Sequence, residues 1–247
     1  MNFLQPHKVV LFDHDGTVVD SETIALKSAW KLTAEVASEF PGARLYDLTE
    51  FVQRFAGKPY REILAQLYAD SPDALSEADI EQLVMEEEDR AIERLNIEAR
   101  ATEGTPEVLS NLGDRGLEFA LVSNSSLRRL SACLAASDLA GYFPGDRTFS
   151  AHDSLPTPRP KPLPDIYLHA AKCLDADISG CVAVEDSLSG VKSAVAAGIP
   201  QIVGYVGGTH INESERSSRA SALQAAGAQH IIEQMPDLIP LLLEAAG

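Results

Sequence analysis

The chain has 247 residues, 45% of them apolar and 23% charged, the balance of a globular protein and not of a disordered one. Its 20 Lys and Arg stand against 37 Asp and Glu, a formal charge of −17, which repels nucleic acid and anionic lipid and excludes a general nucleic-acid binder. The length allows one large domain, or a domain carrying a sizeable insert.

In chain order, the first element is an apolar run, KVVLFD at 8–13, that ends on two carboxylates, Asp13 and Asp15, separated by His14. Strand alternation predicts that the two acids share a side and that His14 points the other way. From 19 to 97 the pattern is helical throughout, with no strand. That is too long for a crossover connection and predicts an inserted all-helical domain. Within it, the run Glu86-Glu87-Glu88-Asp89 reads as a solvated helix face. Beyond it the pattern alternates: a helix at 105–113 with Pro106 early and Gly113 at its end, then a strand, LEFALVSN, at 117–124. A helix at 126–137, a Pro-rich loop at 154–165 and a helix at 163–173 come next. The strand CVAVED at 181–186 leads into a helix at 187–197, closed by Gly198-Ile199-Pro200. PQIVGYV at 200–206 and HII at 230–232 read as the last strands. Short buried runs alternating with helices predict an α/β fold, a Rossmann-like parallel sheet core. The expected division is a discontinuous core at 1–18 and 98–247 and a helical cap domain at 19–97.

The three cysteines, Cys133, Cys173 and Cys181, lack CxxC spacing and read as reduced apolar residues of an intracellular protein. No apolar stretch approaches the roughly 20 residues of a membrane helix, and the N-terminus shows no secretory pattern. The expectation is a cytoplasmic protein with no membrane and no nucleic-acid partner.

In open parallel sheets, ligands bind outside the carboxyl ends of the strands. Four segments deliver chemistry there: Asp13 and Asp15, Ser123 and Asn124, Lys161, and Glu185 with Asp186. Each alone has a bland reading: an accidental acidic pair, a helix cap, a solvated lysine. Their convergence on one edge is the signal. Four carboxylates in one crevice repel one another and call for a cation or altered protonation. An all-oxygen donor set suits a hard divalent ion, most simply Mg2+. The lysine, hydroxyl and amide would then hold an anion such as phosphate. One carboxylate can attack phosphorus and a second can shuttle the proton, which fits phosphoryl transfer.

These residues resemble the haloacid dehalogenase-like phosphohydrolases, in the group with a helical cap after the first strand. FDHDGTVVDSE, LVSNSS, RPKPLPDIY and VEDSLSGVKSAVAAG match the four family motifs in order. The resemblance implies Asp13 as nucleophile and Asp15 as general acid/base that also lends its backbone carbonyl to the metal. It implies that Gly16 permits the turn and that Thr17 helps to fix Asp15. Ser123 and Asn124 would bind the phosphoryl group, and Lys161 would neutralise it while holding Asp13. Asp186 would be a direct Mg2+ ligand, and Glu185 a second ligand or an outer partner. The cap loop FAGKPYREIL nominates Gly57, Lys58 and Arg61 for substrate contact, although the two cations read equally well as helix-surface charges.

Asp15 argues for a phosphate ester, because dehalogenases and phosphonate-cleaving relatives lack that acid. Two departures are His14, where an apolar residue is usual, and a longer loop before Lys161. His14 is expected to be a buried bystander, hydrogen-bonded beneath the sheet edge. The expected activity is Mg2+-dependent hydrolysis of a small phosphorylated metabolite, a sugar or sugar-acid phosphate, by a monomer or weak homo-oligomer. A β-phosphoglucomutase-type mutase is the alternative, disfavoured by Ser21-Glu22-Thr23 where a cap histidine would stand. A non-catalytic phospho-metabolite sensor is a third reading, disfavoured because all four motifs survive.

Overall fold

A computed structural model describes residues 9–243. The chain forms two compact units, Met1–Asp20 with Arg100–Gly247, and Ser21–Ala99. Each boundary lies two residues further along the chain than the expected 18/19 and 97/98 junctions. The reason is backbone pairing of the two connecting segments. Thr102 N–H donates to Val18 O (3.0 Å), Asp20 N–H donates to Arg100 O (2.9 Å), and Val19 forms an antiparallel bridge with Ala101.

The first unit holds β1 (Val9–Phe12), α5 (Thr105–Asp114), β2 (Glu118–Ser123), α6 (Leu127–Ala136), β3 (Thr148–Ser150) and α7 (Asp165–Cys173). It continues with β4 (Val182–Glu185), α8 (Leu188–Ala197), β5 (Gln201–Tyr205), α9 (Glu213–Ala226), β6 (His230–Ile232) and α10 (Leu238–Leu243). The strands form one parallel sheet in the order β3-β2-β1-β4-β5-β6. The expected start of the first strand at Lys8 lies outside the described residues. Every residue of β1 is buried, as a strand covered on both faces requires. Val9 and Leu11 pack with Ile166, Tyr167 and Val191 of α7 and α8. Phe12, of opposite parity, meets Phe119 and Phe143 edge-on at 6.4 and 6.5 Å. The chain winds from β1 outward to β3, then returns to place β4 on the other side of β1. That reversal of strand order opens a crevice at the carboxyl ends of β1 and β4.

The second unit consists of α1 (Glu22–Glu39), α2 (Leu48–Phe55), α3 (Tyr60–Leu67) and α4 (Glu77–Glu98). It has its own core, in which Leu32, Phe51, Phe55, Ile63 and Leu67 are each at most 2% exposed. Ser76 and Asp79 close a reciprocal capping box at the start of α4. The acidic run on this helix is not a solvated face throughout. Glu87 is buried, because it falls on the i,i+4 stripe Leu83-Glu87-Ala91-Leu95 that the helix turns inward. Glu86 pairs with Arg90, which also reaches Glu35. Among the described residues no helix is long and apolar enough to cross a membrane.

Candidate active site

The strand β1 stops at Phe12 and the backbone turns at once. Asp13 N–H donates to Val184 O (2.9 Å), which ties the turn to β4, and His14 O accepts from the N–H groups of Thr17, Val18 and Val19 at 3.1–3.2 Å. Gly16 sits at φ +83°, a left-handed conformation that favours glycine. Since the extended conformation ends before Asp13, alternation does not govern the side chains of the turn. His14 is fully buried, but its Nδ1 lies 3.3 Å from Asp15 Oδ1. It touches the second acid and is no bystander. The other oxygen of Asp15 accepts from Ser125 Oγ at 2.7 Å and, more weakly, from Ser123 Oγ at 3.4 Å. Burial acts to raise the Asp15 carboxyl, but His14, the charge of Arg129 and the Ser125 hydroxyl hold it well below the usual carboxylate range. Burial acts to lower the His14 imidazole, yet the Asp15 carboxylate, aided by the Cys133 thiol, pushes it up to about 10.

Lys161 is the hub of the crevice. Its Nζ donates to Asp13 Oδ1 (2.6 Å), Glu185 Oε1 (2.6 Å) and Val122 O (2.8 Å), which occupies all three ammonium hydrogens. The Tyr167 hydroxyl donates to the same Glu185 oxygen at 2.5 Å, and the Lys161 ammonium lies 5.3 Å from the centre of that ring. Burial acts to lower the Lys161 pKa, but the two carboxylates outweigh it and keep the lysine charged. The loop that carries it is pinned by Arg159 N–H to Ala151 O (3.1 Å) and by Lys161 N–H to Asn124 Oδ1 (2.7 Å).

Carboxylate oxygens of Asp13, Glu185 and Asp186 lie within 4.8 Å of one another, all three residues buried. Burial, reinforced by Glu185 and Asp186, drives Asp13 well above the usual carboxylate range despite Lys161. Burial and Asp186 likewise raise Glu185. One ammonium does not balance three acids, and the residual negative charge out of water is costly. Oxygen donors at this spacing fit a hard divalent cation, whose own charge would reverse those shifts. The Asp15 side chain stands outside this cluster, turned to His14 and Ser125.

Of the residues expected from sequence, Asp13, Asp15, Ser123, Lys161, Glu185 and Asp186 meet at the one edge. Asn124 is exposed, and its side-chain oxygen is engaged with the Lys161 backbone, so its visible part is to join two loops. Thr17 departs from expectation: its side chain is fully buried, and its hydroxyl makes no hydrogen bond among the described residues. It serves the turn through its backbone N–H alone, because the tight 14–17 turn carries Cβ of residue 17 into the core. In the helical unit, Gly57 N–H donates to Glu22 Oε1 at 2.6 Å, Lys58 Nζ to Gln66 Oε1 at 3.1 Å, and Arg61 pairs with Glu77.

Three participants were not picked out from sequence: Ser125, Tyr167 and His210. Ser125 sits inside LVSNSS, where a hydroxyl next to a strand end was available as a signal, and Tyr167 sits at the end of RPKPLPDIY, in the first turn of α7. His210 lies shortly after a Gly-Gly pair beyond β5, on the same sheet edge, and its Nε2 lies 3.0 Å from Asp186 Oδ2.

A family model described as haloacid dehalogenase-like hydrolase matches residues 7–198. The chain is 30% identical over 192 residues to 6-phosphogluconate phosphatase of Escherichia coli (strain K12), an alignment covering 78% of this chain and 80% of the relative. It is also 30% identical over 200 residues to phosphoglycolate phosphatase of Nitrosospira multiformis, covering 80% and 83%. A crystal structure of a conserved haloacid dehalogenase-like protein of unknown function from Agrobacterium tumefaciens str. C58 superposes with a TM-score of 0.76. It is 31% identical and the match covers 97% of this chain and 99% of that one.

Proposed function

Since the chain belongs to the haloacid dehalogenase-like hydrolase family and is a phosphoric monoester hydrolase, we propose that it hydrolyses a sugar or sugar-acid phosphate through an aspartyl-phosphate on Asp13. The observation that carries this reading is the buried cluster of Asp13, Lys161, Glu185 and Asp186, with Asp15 held just outside it. Asp13, Asp186 and the backbone carbonyl of Asp15 would hold Mg2+, with Glu185 bound up by Lys161 and Tyr167 as an outer partner. When bound, the ion supplies charge neutralisation of the phosphoryl oxygens and of the acids around it.

The chain's own groups account for the steps. A carboxylate oxygen of Asp13 forms a bond to phosphorus as the ester P–O bond breaks, and the leaving oxygen takes a proton from Asp15. Asp15 is ionised in the free protein; the negative charge of an arriving phosphate raises its pKa, so that it takes up a proton from solvent and passes that proton to the leaving oxygen. In the second half Asp15, again a carboxylate, takes a proton from water. The water oxygen attacks phosphorus and releases Asp13 and inorganic phosphate. Lys161 keeps Asp13 oriented and offsets charge on the phosphoryl group, and Ser123 stands at the same edge to donate to it.

The relatives named as phosphatases favour release to water over return of the phosphoryl group to a sugar. The test is phosphate release with Mg2+ over a panel of sugar phosphates, sugar-acid phosphates, 2-phosphoglycolate and β-glucose 1-phosphate. Turnover on a sugar-acid or sugar phosphate is expected, abolished by Asp13→Asn. Silence across the panel, or an active Asp13→Asn protein, would sink the reading.

A further inference from the structure

We propose that His210 is a positioning residue for the metal ligand Asp186: it fixes one carboxylate oxygen, so that the other is presented to the cation. The inference deepens the reading of the same site and rests on it.

The geometry is built from three segments. His210 stands on the 206–212 loop after β5, and its side chain is only 4% exposed. The loop is anchored on both sides of it. Val206 N–H donates to Ile232 O (2.9 Å), Ile211 is buried with its N–H on Gly208 O (3.0 Å), and Thr209 Oγ1 donates to Asp20 Oδ1 (3.0 Å). The backbone that carries the imidazole is therefore held in place. Its Nε2 lies 3.0 Å from Asp186 Oδ2. A carboxylate only accepts, so the hydrogen sits on Nε2.

The ring also fills space that two glycines leave open. A Cβ at Gly16 would stand 2.5 Å from His210 Cε1 and 2.6 Å from Asp186 Oδ2, and a Cβ at Gly208 would stand 2.7 Å from His210 Cε1. So the imidazole is wedged between the turn that follows the nucleophile and its own loop, with Asp186 against it. An ordinary packing histidine has no need of a carboxylate from the acidic cluster. This one ties the β5 loop to the end of β4 through its contact with Asp186 and packs against the 13–17 turn at Gly16. Partners of this kind, which hold a ligating group by its second atom, typically govern metal affinity or activity by about 10–100-fold.

The experiment measures Mn2+ affinity of the purified protein by electron paramagnetic resonance and Mg2+ affinity by calorimetry. The proteins are wild type, His210→Ala, His210→Gln and Asp186→Asn, each checked for folding by its melting curve. Gln keeps an N–H donor near the position of Nε2, and Ala removes it. The expected result is metal affinity weakened about 10–100-fold in His210→Ala and largely restored in His210→Gln. KM for the phosphate ester at saturating Mg2+ should change less than the metal requirement. Metal affinity in His210→Ala within threefold of wild type would overturn the proposal. So would equal losses in the Ala and Gln variants, which would mean that the ring only packs. Asp186→Asn separates the two levels: if it leaves metal affinity unchanged, the metal reading of the cluster fails, whatever His210 does.

Discussion

Asp15 is a residue whose surroundings hold its side chain closely. One oxygen faces His14 at 3.3 Å and the other accepts from Ser125 at 2.7 Å, so its carboxyl is oriented before any substrate arrives. Asp15→Asn keeps the shape and the backbone carbonyl but not the proton. Turnover should fall by about 10²–10⁴ while metal affinity, measured by calorimetry, stays near that of wild type; near-normal turnover would mean that another group is the acid. His14 adds a pH signature. Its pKa is raised from the ordinary 6.5 to about 10, so its stabilising contribution is fully present below about pH 6.5 and is lost as the pH rises through about 10. Urea unfolding of wild type and His14→Gln should show a stability gap that is widest near pH 6 and closes above pH 10; a gap independent of pH would count against the charged pair. The acids themselves were legible in the sequence because a buried strand ended on them. The contact of His14 was not, because alternation was extended past the point where the strand stops.

At the scale of elements, α8 shows how a helix is made to fit a carboxylate. Its N-cap, Ser187, accepts from Gly190 N–H at 3.0 Å, and a Cβ on Gly190 would stand 1.7 Å from Glu185 Oε2. The helix can therefore approach β4 only with glycine there. Gly190→Ala must displace Glu185 or the helix; overpacking of this kind costs about 1–3 kcal/mol. A melting temperature lowered by a few degrees is expected, together with weaker metal binding because Glu185 holds Lys161. An unchanged melting curve would refute it. Elements with a strong apolar signal were readable: β1, β2, β4 and β5 lie within the expected runs. The edge strand β3, Thr148–Ser150, was not, because Thr-Phe-Ser carries one apolar residue, whereas the equally short β6, His230–Ile232, was readable from its Ile pair. Nor was α9 readable: it opens on the polar stretch Glu-Ser-Glu-Arg-Ser-Ser and buries a single side chain, Leu223, in its later turns. The buried Glu87 in α4 was hidden by composition, since three acidic neighbours mask its position on the inward stripe.

The whole molecule carries a charge of −17 yet is built to take a phosphate. Screening reduces the conflict, because surface acids further than the Debye length of about 8 Å contribute little at physiological salt, and the buried Lys161 ammonium dominates locally. Burial also divides the thiols. Cys133 and Cys181 are buried and Cys173 is exposed, and burial pushes the Cys181 thiol up to about 11. A native thiol titration at pH 8 should count one fast-reacting group, and three after denaturation; three fast thiols in the native protein would contradict the described packing. The division into two units was visible in the sequence as an interruption of the strand–helix alternation. Its exact junctions were not, since they depend on hydrogen bonds between segments about 80 residues apart.

Those junctions have a consequence for descent. Because Val18–Asp20 and Arg100–Thr102 run side by side, the excursion from 21 to 99 leaves and rejoins the sheet-bearing unit at neighbouring points. An excursion with adjacent ends adds little closure cost as its length changes. A lineage can therefore lengthen, recombine or replace it as a cassette while the sheet and its acidic edge pass on unaltered.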